Sequence, residues 1–96
     1  MEEPRVSVVV RIPAQLRPLT GGEREIAVTA TTVGGALDAL EDRHPGVKER
    51  IVDPDGQLRR FVNIFLADRD IRFLEGLDTP VGEDQTLSVV PAISGG

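Results

Sequence analysis

The sequence predicts an α+β domain: a mixed sheet of about five strands with one main helix packed on one face. Several short segments alternate apolar and polar residues at the two-residue period of a strand. One longer segment, Val33 to Leu40, instead places its apolar residues at helical spacing. The chain has 96 residues, the size of a single domain.

The first strand is predicted over Arg5 to Ile12. Val6, Val8, Val10 and Ile12 recur at every second position between Ser7, Val9 and Arg11, so one face is strongly apolar. Pro13 ends it, and the stretch to Gly21-Gly22, which includes Pro18, reads as a loop. Glu25 to Thr29 alternates again through Ile26 and Val28 and should pair with the first strand. Thr32 stands where a helix cap is wanted. Val33, Ala36, Leu37 and Leu40 then share one helical face, with Asp38, Glu41, Asp42 and Arg43 turned to water. Pro45-Gly46 stops the helix near His44. Val47 and Ile51 predict one further apolar-faced turn, and Asp53-Pro54-Asp55-Gly56 reads as a turn.

Arg60 to Leu66 reads as the third strand. Phe61 and Phe65 on one face and Val62, Ile64 and Leu66 on the other predict a strand covered on both sides. Ala67-Asp68-Arg69-Asp70 should turn into a short strand at Ile71 to Phe73. Leu77 and Val81 are expected to plug the core from a loop, and Gly82-Glu83-Asp84 to turn the chain. Thr86 to Pro91 is the last strand, with Leu87 and Val89 on one face. In this order every apolar face finds another to bury against. A first hairpin, a right-handed helix crossover and a last strand returning beside the first make a β-grasp arrangement. Residues 1–96 are expected to form one domain, with 92–96 as an extended tail.

Composition removes several kinds of function. The net charge is −5 and the sequence pI about 4.7, which disfavours nucleic-acid binding because phosphates call for clustered Lys and Arg. With no Cys, thiolate zinc sites, iron–sulfur clusters and Cys nucleophiles are excluded; with one His, so is a multi-histidine metal site. Apolar runs such as Val8-Val9-Val10 are strand-sized, so no membrane span is expected. Met1-Glu2-Glu3-Pro4 is acidic where a signal peptide would be basic, and a cytoplasmic location is expected.

The residues that could carry chemistry mostly have plainer uses. His44 at a helix end can bond terminal carbonyls. Asp53-Pro54-Asp55-Gly56 lacks the ligand series of a calcium loop. Asp68 and Asp70 fit solvated turn positions. Gly34-Gly35 has no following Walker-type Lys, so close packing of helix on sheet is the better account. Arg59-Arg60 reads as a solvated basic pair. No catalytic or metal-binding constellation remains, and the chain reads as something acted upon.

The end of the sequence is different. After the last strand come Ala92, Ile93, Ser94 and then Gly95-Gly96. Two glycines without Cβ make a tail thin enough to enter a narrow active site and present a terminal carboxylate there. Adenylation with ATP would make that carboxylate an electrophile, and glycine would leave the attack unhindered. Glycines are also common at frayed termini, so the pair gains its meaning from the β-grasp order before it.

With these features the sequence resembles the MoaD/ThiS family of ubiquitin-like sulfur carriers over nearly its whole length. The anchors are Val6-Ile12 followed by Pro13-Ala14-Gln15-Leu16-Arg17, the helix Thr32-Leu40, and the end from Val89 to Gly96. Within the family it looks most like the CysO-type cysteine-synthesis carriers of actinobacteria. That rests on Leu16-Arg17-Pro18 with Thr20-Gly21-Gly22, on Arg60-Phe61-Val62-Asn63-Ile64-Phe65, and on Asp70-Ile71-Arg72-Phe73 leading to Gly76-Leu77.

The resemblance implies a carrier that is not itself an enzyme. An E1-like adenylyltransferase/sulfurtransferase would adenylate Gly96 with ATP, and sulfur would then displace the adenylate to leave a thiocarboxylate. Ser94 and Gly95 would thread into partner active sites, and Val90, Pro91 and Ile93 would belong to the partner surface. In the cysteine-synthesis branch the acceptor is a synthase using O-phosphoserine, and a zinc metallopeptidase releases cysteine. Pyridoxal phosphate and zinc would belong to these partners, with no cofactor intrinsic to the carrier. Related carriers supply thiosugar, molybdopterin or thiamine thiazole synthesis, or act as ubiquitin-like protein modifiers.

Overall fold

In the computed structural model, which describes residues 6–91, five strands form one mixed sheet around a single apolar cluster. β1 (Val6–Arg11) and β2 (Glu25–Ala30) form the predicted antiparallel hairpin, with Val8 opposite Val28 and Val10 opposite Ile26. These four residues and Ile12 are buried, so the alternation of valines selects the core face. α1 (Val33–Arg43) crosses next, then the single turn α2 (Lys48–Ile51). β3 (Val62–Leu66), β4 (Arg69–Asp70) and β5 (Thr86–Pro91) complete the sheet in the order β2-β1-β5-β3-β4. β5 lies parallel to β1 and antiparallel to β3, the β-grasp arrangement expected.

The helix starts where its cap predicts. Thr32 has extended backbone, and its hydroxyl accepts from the Gly35 amide at 3.0 Å, satisfying one of the free donors of the first turn. Val33, Ala36, Leu37 and Leu40 are all buried against the sheet. His44 ends α1 before Pro45. The chain is then latched by Glu41, whose carboxylate accepts from the Gly46 amide at 3.0 Å and the Lys48 amide at 2.9 Å. That latch sets Val47 and Ile51 into the core.

Three expectations need correction. The stretch Ala14–Thr20 is a 3-10 helix, not a loop. Pro18 fits because its fixed φ suits a tight turn, Leu16 and Leu19 pack on the core, and Gly21 closes the turn at φ 66°. Second, β3 begins at Val62, and its two faces are unequal. Ile64 and Leu66 are buried under the helix side, whereas Phe61 precedes the strand and is 56% exposed. Apolar residues on both faces did not mean a covered strand, because the helix layer lies on one side only. Third, the short strand is Arg69–Asp70, and Ile71–Phe73 is a 3-10 turn. The Asp70 carboxylate accepts from the Arg72 amide at 2.9 Å, ending the ladder and turning Ile71 into the core. Leu77 and Val81 do pack against the core from the following segment.

Candidate functional site

β5 has strands on both sides only over part of its length. β1 accompanies Thr86, Leu87 and Ser88, whereas β3 continues beside β5 to the pairing of Val62 with Pro91. Leu87 and Val89 anchor it in the core. The end of β5 is therefore rooted in the core and, among the described residues, is paired by a strand ladder on the β3 side. Val90 is 40% exposed and points away from the helix layer, and Pro91 is half-buried. Of the residues assigned from sequence, these two lie at the predicted strand end. Ile93, Ser94, Gly95 and Gly96, and the tail 92–96 as a whole, lie outside the described residues.

Among the described residues, α1 packs with the buried residues of the opposite sheet face, and Val90 is not among them. Register places Asn63 beside Val90 and Phe65 beside Ser88 on the Val90 face. Next to it, Arg72 ties the 3-10 turn to the start of β3. Its guanidinium donates to the Arg59 carbonyl at 3.0 Å, the Val62 carbonyl at 2.8 Å and the Asn63 side-chain oxygen. Phe61 lies between the first two acceptors in the chain, and Phe73, 87% exposed, follows Arg72. Reasoning from sequence treated Phe61 and Phe73 as strand residues and missed their exposure. Nothing in the sequence distinguishes them from buried strand residues, because exposure depends on which side of the sheet α1 covers.

The other candidates take structural roles. His44 does not bond the terminal carbonyls with its imidazole: its backbone amide donates to Leu40, and its Nε2 lies 3.5 Å from the Glu23 carboxylate. Asp53 accepts from the Asp55 and Gln57 amides, forming the predicted turn. A Cβ at Gly34 would stand 3.1 Å from the Leu77 carbonyl, and one at Gly35 would stand 3.6 Å from the Ala30 Cβ. The glycine pair thus permits close packing, partly against the Gly76–Asp78 turn and not the sheet alone. Arg59 donates through Nε to the Glu49 carbonyl at 2.8 Å, and Arg60 is exposed. Among the described residues, no three His, Cys, Asp or Glu side chains are grouped to hold a metal ion, and no helix is long and apolar enough to cross a membrane.

The ThiS family model matches residues 10–96, including the Gly-Gly end. The chain belongs to the ThiS family. This ThiS-family chain is similar to the sulfur carrier protein CysO of Mycobacterium tuberculosis, at 40% identity over 93 residues, covering 95% of this chain and all of the relative. It is also similar to a chain in the crystal structure of the Amycolatopsis orientalis BexX/CysO complex, with TM-score 0.88 and 42% identity, covering 93% of this chain and 99% of that one. The small archaeal modifier protein 1 of Methanosarcina acetivorans shares the fold at TM-score 0.82 and 29% identity, covering 98% of this ThiS-family chain and all of that one. The family's ubiquitin-like β-grasp is thus the fold seen here, and its CysO-type members are among the similar proteins.

Proposed function

We propose that this chain is a sulfur carrier whose Gly96 carboxylate is the working group. The observation that carries the reading is the family match running through residue 96, joined to 40% identity with CysO along 95% of the chain. In the proposed cycle the Gly96 carboxylate attacks ATP on an E1-like enzyme, forming an acyl-adenylate and releasing pyrophosphate. A sulfur nucleophile attacks the acyl carbon and AMP leaves, so that sulfur replaces one carboxylate oxygen. The resulting thiocarboxylate is ionised and soft, suited to attack on a carbon acceptor. The chain's own part is mechanical. β5 is held by the sheet, and residues 92–96 carry the reacting end to the partner, with Ser94 and Gly95 passing through its narrow channel. Chemistry on ATP, and any pyridoxal phosphate or zinc, belongs to the partners.

The proposed acceptor is a cysteine synthase using O-phosphoserine, with a zinc metallopeptidase completing the cycle. The resemblance to CysO through Arg60-Phe61-Val62-Asn63-Ile64-Phe65 and Asp70-Ile71-Arg72-Phe73 supports this over a molybdopterin, thiosugar or thiamine acceptor. BexX-type proteins are a further partner class, given the A. orientalis complex. A second reading, attachment of the tail to lysines of other proteins, is favoured by the similarity to the archaeal modifier protein.

The test is intact-mass analysis after incubation with ATP, sulfide and an activating enzyme. Exchange of one oxygen for sulfur at Gly96 is expected, and deletion of Gly96 should abolish it without lowering the melting temperature. Loaded carrier given a cysteine synthase and O-phosphoserine should gain one cysteine residue. Mass ladders on lysines of added proteins, without sulfur exchange, would replace the carrier reading by the modifier one.

A further inference from the structure

We propose that Arg43 guards the outer edge of β2, and that its bond to the Ala27 carbonyl keeps a second copy of this chain from adding its own β2 to the sheet. The guard does not depend on the chemistry of Gly96, so it stands or falls apart from the carrier reading.

β2 is the last strand on its side of the sheet, in the order β2-β1-β5-β3-β4. Along an antiparallel strand the backbone groups point alternately towards the partner and away from it. The Ile12 amide donates to the Arg24 carbonyl at 2.7 Å, which sets the phase. Ile26 and Val28 therefore face β1, while Glu25, Ala27 and Thr29 turn their N–H and C=O groups outward. The other strand agrees. Val9, opposite Ala27, gives its amide to the Gln85 carbonyl on the far side, and the Ser7 carbonyl, opposite Thr29, accepts there from Asp84. An edge of this kind is a template for a further strand. The residues of β2, Glu-Ile-Ala-Val-Thr-Ala, include no Pro, Gly or Lys to spoil it, and the one charge, Glu25, is paired with Arg11 at 3.4 Å. The opposite edge of the sheet, β4, has two residues and offers little.

The strand is complementary to itself. An antiparallel copy centred on Ala27 sets Glu25 opposite Thr29 and Ile26 opposite Val28, so no like charges meet. Beside the edge lies a groove of about 400 Å³, lined by Ala27 and Thr29 on the strand side and by Ala39, Asp42 and Arg43 of α1. Arg43 stands in the way of a strand entering it. It is the last residue of α1, and its Nη1 donates to the Ala27 carbonyl at 2.6 Å. Among the described residues this is the one hydrogen bond made to the outward groups of Glu25, Ala27 and Thr29. It falls on the middle of the three, the carbonyl that the amide of a copy's Ala27 would need. An incoming strand would run about 4.8 Å from β2, where the guanidinium lies. Pairing thus requires each copy to give up a charge-assisted hydrogen bond for a neutral one.

The experiment is sedimentation velocity on the full chain, from about 10 μM to about 1 mM. Arg43→Ala should self-associate about tenfold more tightly than wild type, or more, with little change in melting temperature. The substitution removes a positive charge from a chain already at −5, which opposes association, so loss of charge alone cannot produce this result. Arg50→Ala on α2 makes the same change of charge and should behave as wild type. Adding Ala27→Pro to Arg43→Ala should abolish the association, because the Ala27 amide faces outward and proline there removes no bond to β1. Thr29→Pro tests the same edge if circular dichroism shows that the Ala27→Pro chain does not fold. Arg43→Ala that associates no more than wild type overturns the proposal. So does association that survives a folded proline variant, since the contact would then lie elsewhere on the domain.

Discussion

Leu40→Ala tests whether α1 is the cover of the core. Leu40 is 0% exposed and belongs to the same cluster as Val8, Val10, Ile26 and Val28. The substitution removes about three carbon groups at about 0.8 kcal/mol each, or about 2.4 kcal/mol of transfer free energy. A cavity adds to this, because neighbours drawn from a helix and two strands cannot all move in to fill it. The whole loss should be about 3–5 kcal/mol, within the range for buried Leu→Ala. In a domain of this size each kcal/mol lowers the melting temperature by about 4–8 °C, so the drop should be about 12 °C or more. Leu77 gives the control, since it packs on the same cluster half-buried, and Leu77→Ala should cost less than half as much. Thermal and urea unfolding of both variants, followed by circular dichroism, measures the difference. A drop below about 5 °C for Leu40→Ala, or equal drops for the two, refutes the placement of α1 over the core.

Thr32→Ala removes the hydroxyl that accepts from the Gly35 amide and should cost about 1 kcal/mol in urea unfolding, whereas Thr32→Ser should keep most of it. Glu41 is held below the ordinary glutamate value of 4.5 by hydrogen bonds from the Gly46 and Lys48 amides, with the Lys48 charge adding to them. Folding thus favours the charged carboxylate: its contribution is full above pH 4.5 and is lost as pH falls through the lower folded value. Unfolding measured across the acid range should therefore show Glu41→Gln less stable than wild type at neutral pH, with the gap closing below pH 4.5. A gap independent of pH would mean that the latch does not depend on charge.

The elements that were legible in the sequence are those whose signal is complete within a few residues. Val6, Val8 and Val10 alternate, Thr32 caps, Pro45 stops, and each does so whatever lies opposite. The Ala14–Thr20 3-10 helix was not legible because Pro18 serves equally in a loop or a tight turn, and the choice came from Leu16 and Leu19 meeting the core. The Glu41 latch was hidden for a related reason. A glutamate in the last turn of an amphipathic helix ordinarily faces water, and its partners become available only after Pro45-Gly46 turns the chain back. For the candidate site, the end of β5 with Val90 and Pro91 was legible from alternation, while Ile93, Ser94, Gly95 and Gly96 rest on sequence and family alone.

By itself, the sequence determined the order of strands and helix, the core faces of β1, β2, α1 and β5, and the Gly95-Gly96 end that the family match includes. Those follow from periodicity, capping and residue type, which are local. Only the tertiary structure decided that Phe61, Phe73 and Val90 are exposed, and that β3 is covered on one face. A phenylalanine is apolar wherever it stands. Whether it is buried depends on which side of the sheet the helix occupies, and that is settled by packing between segments far apart in the chain.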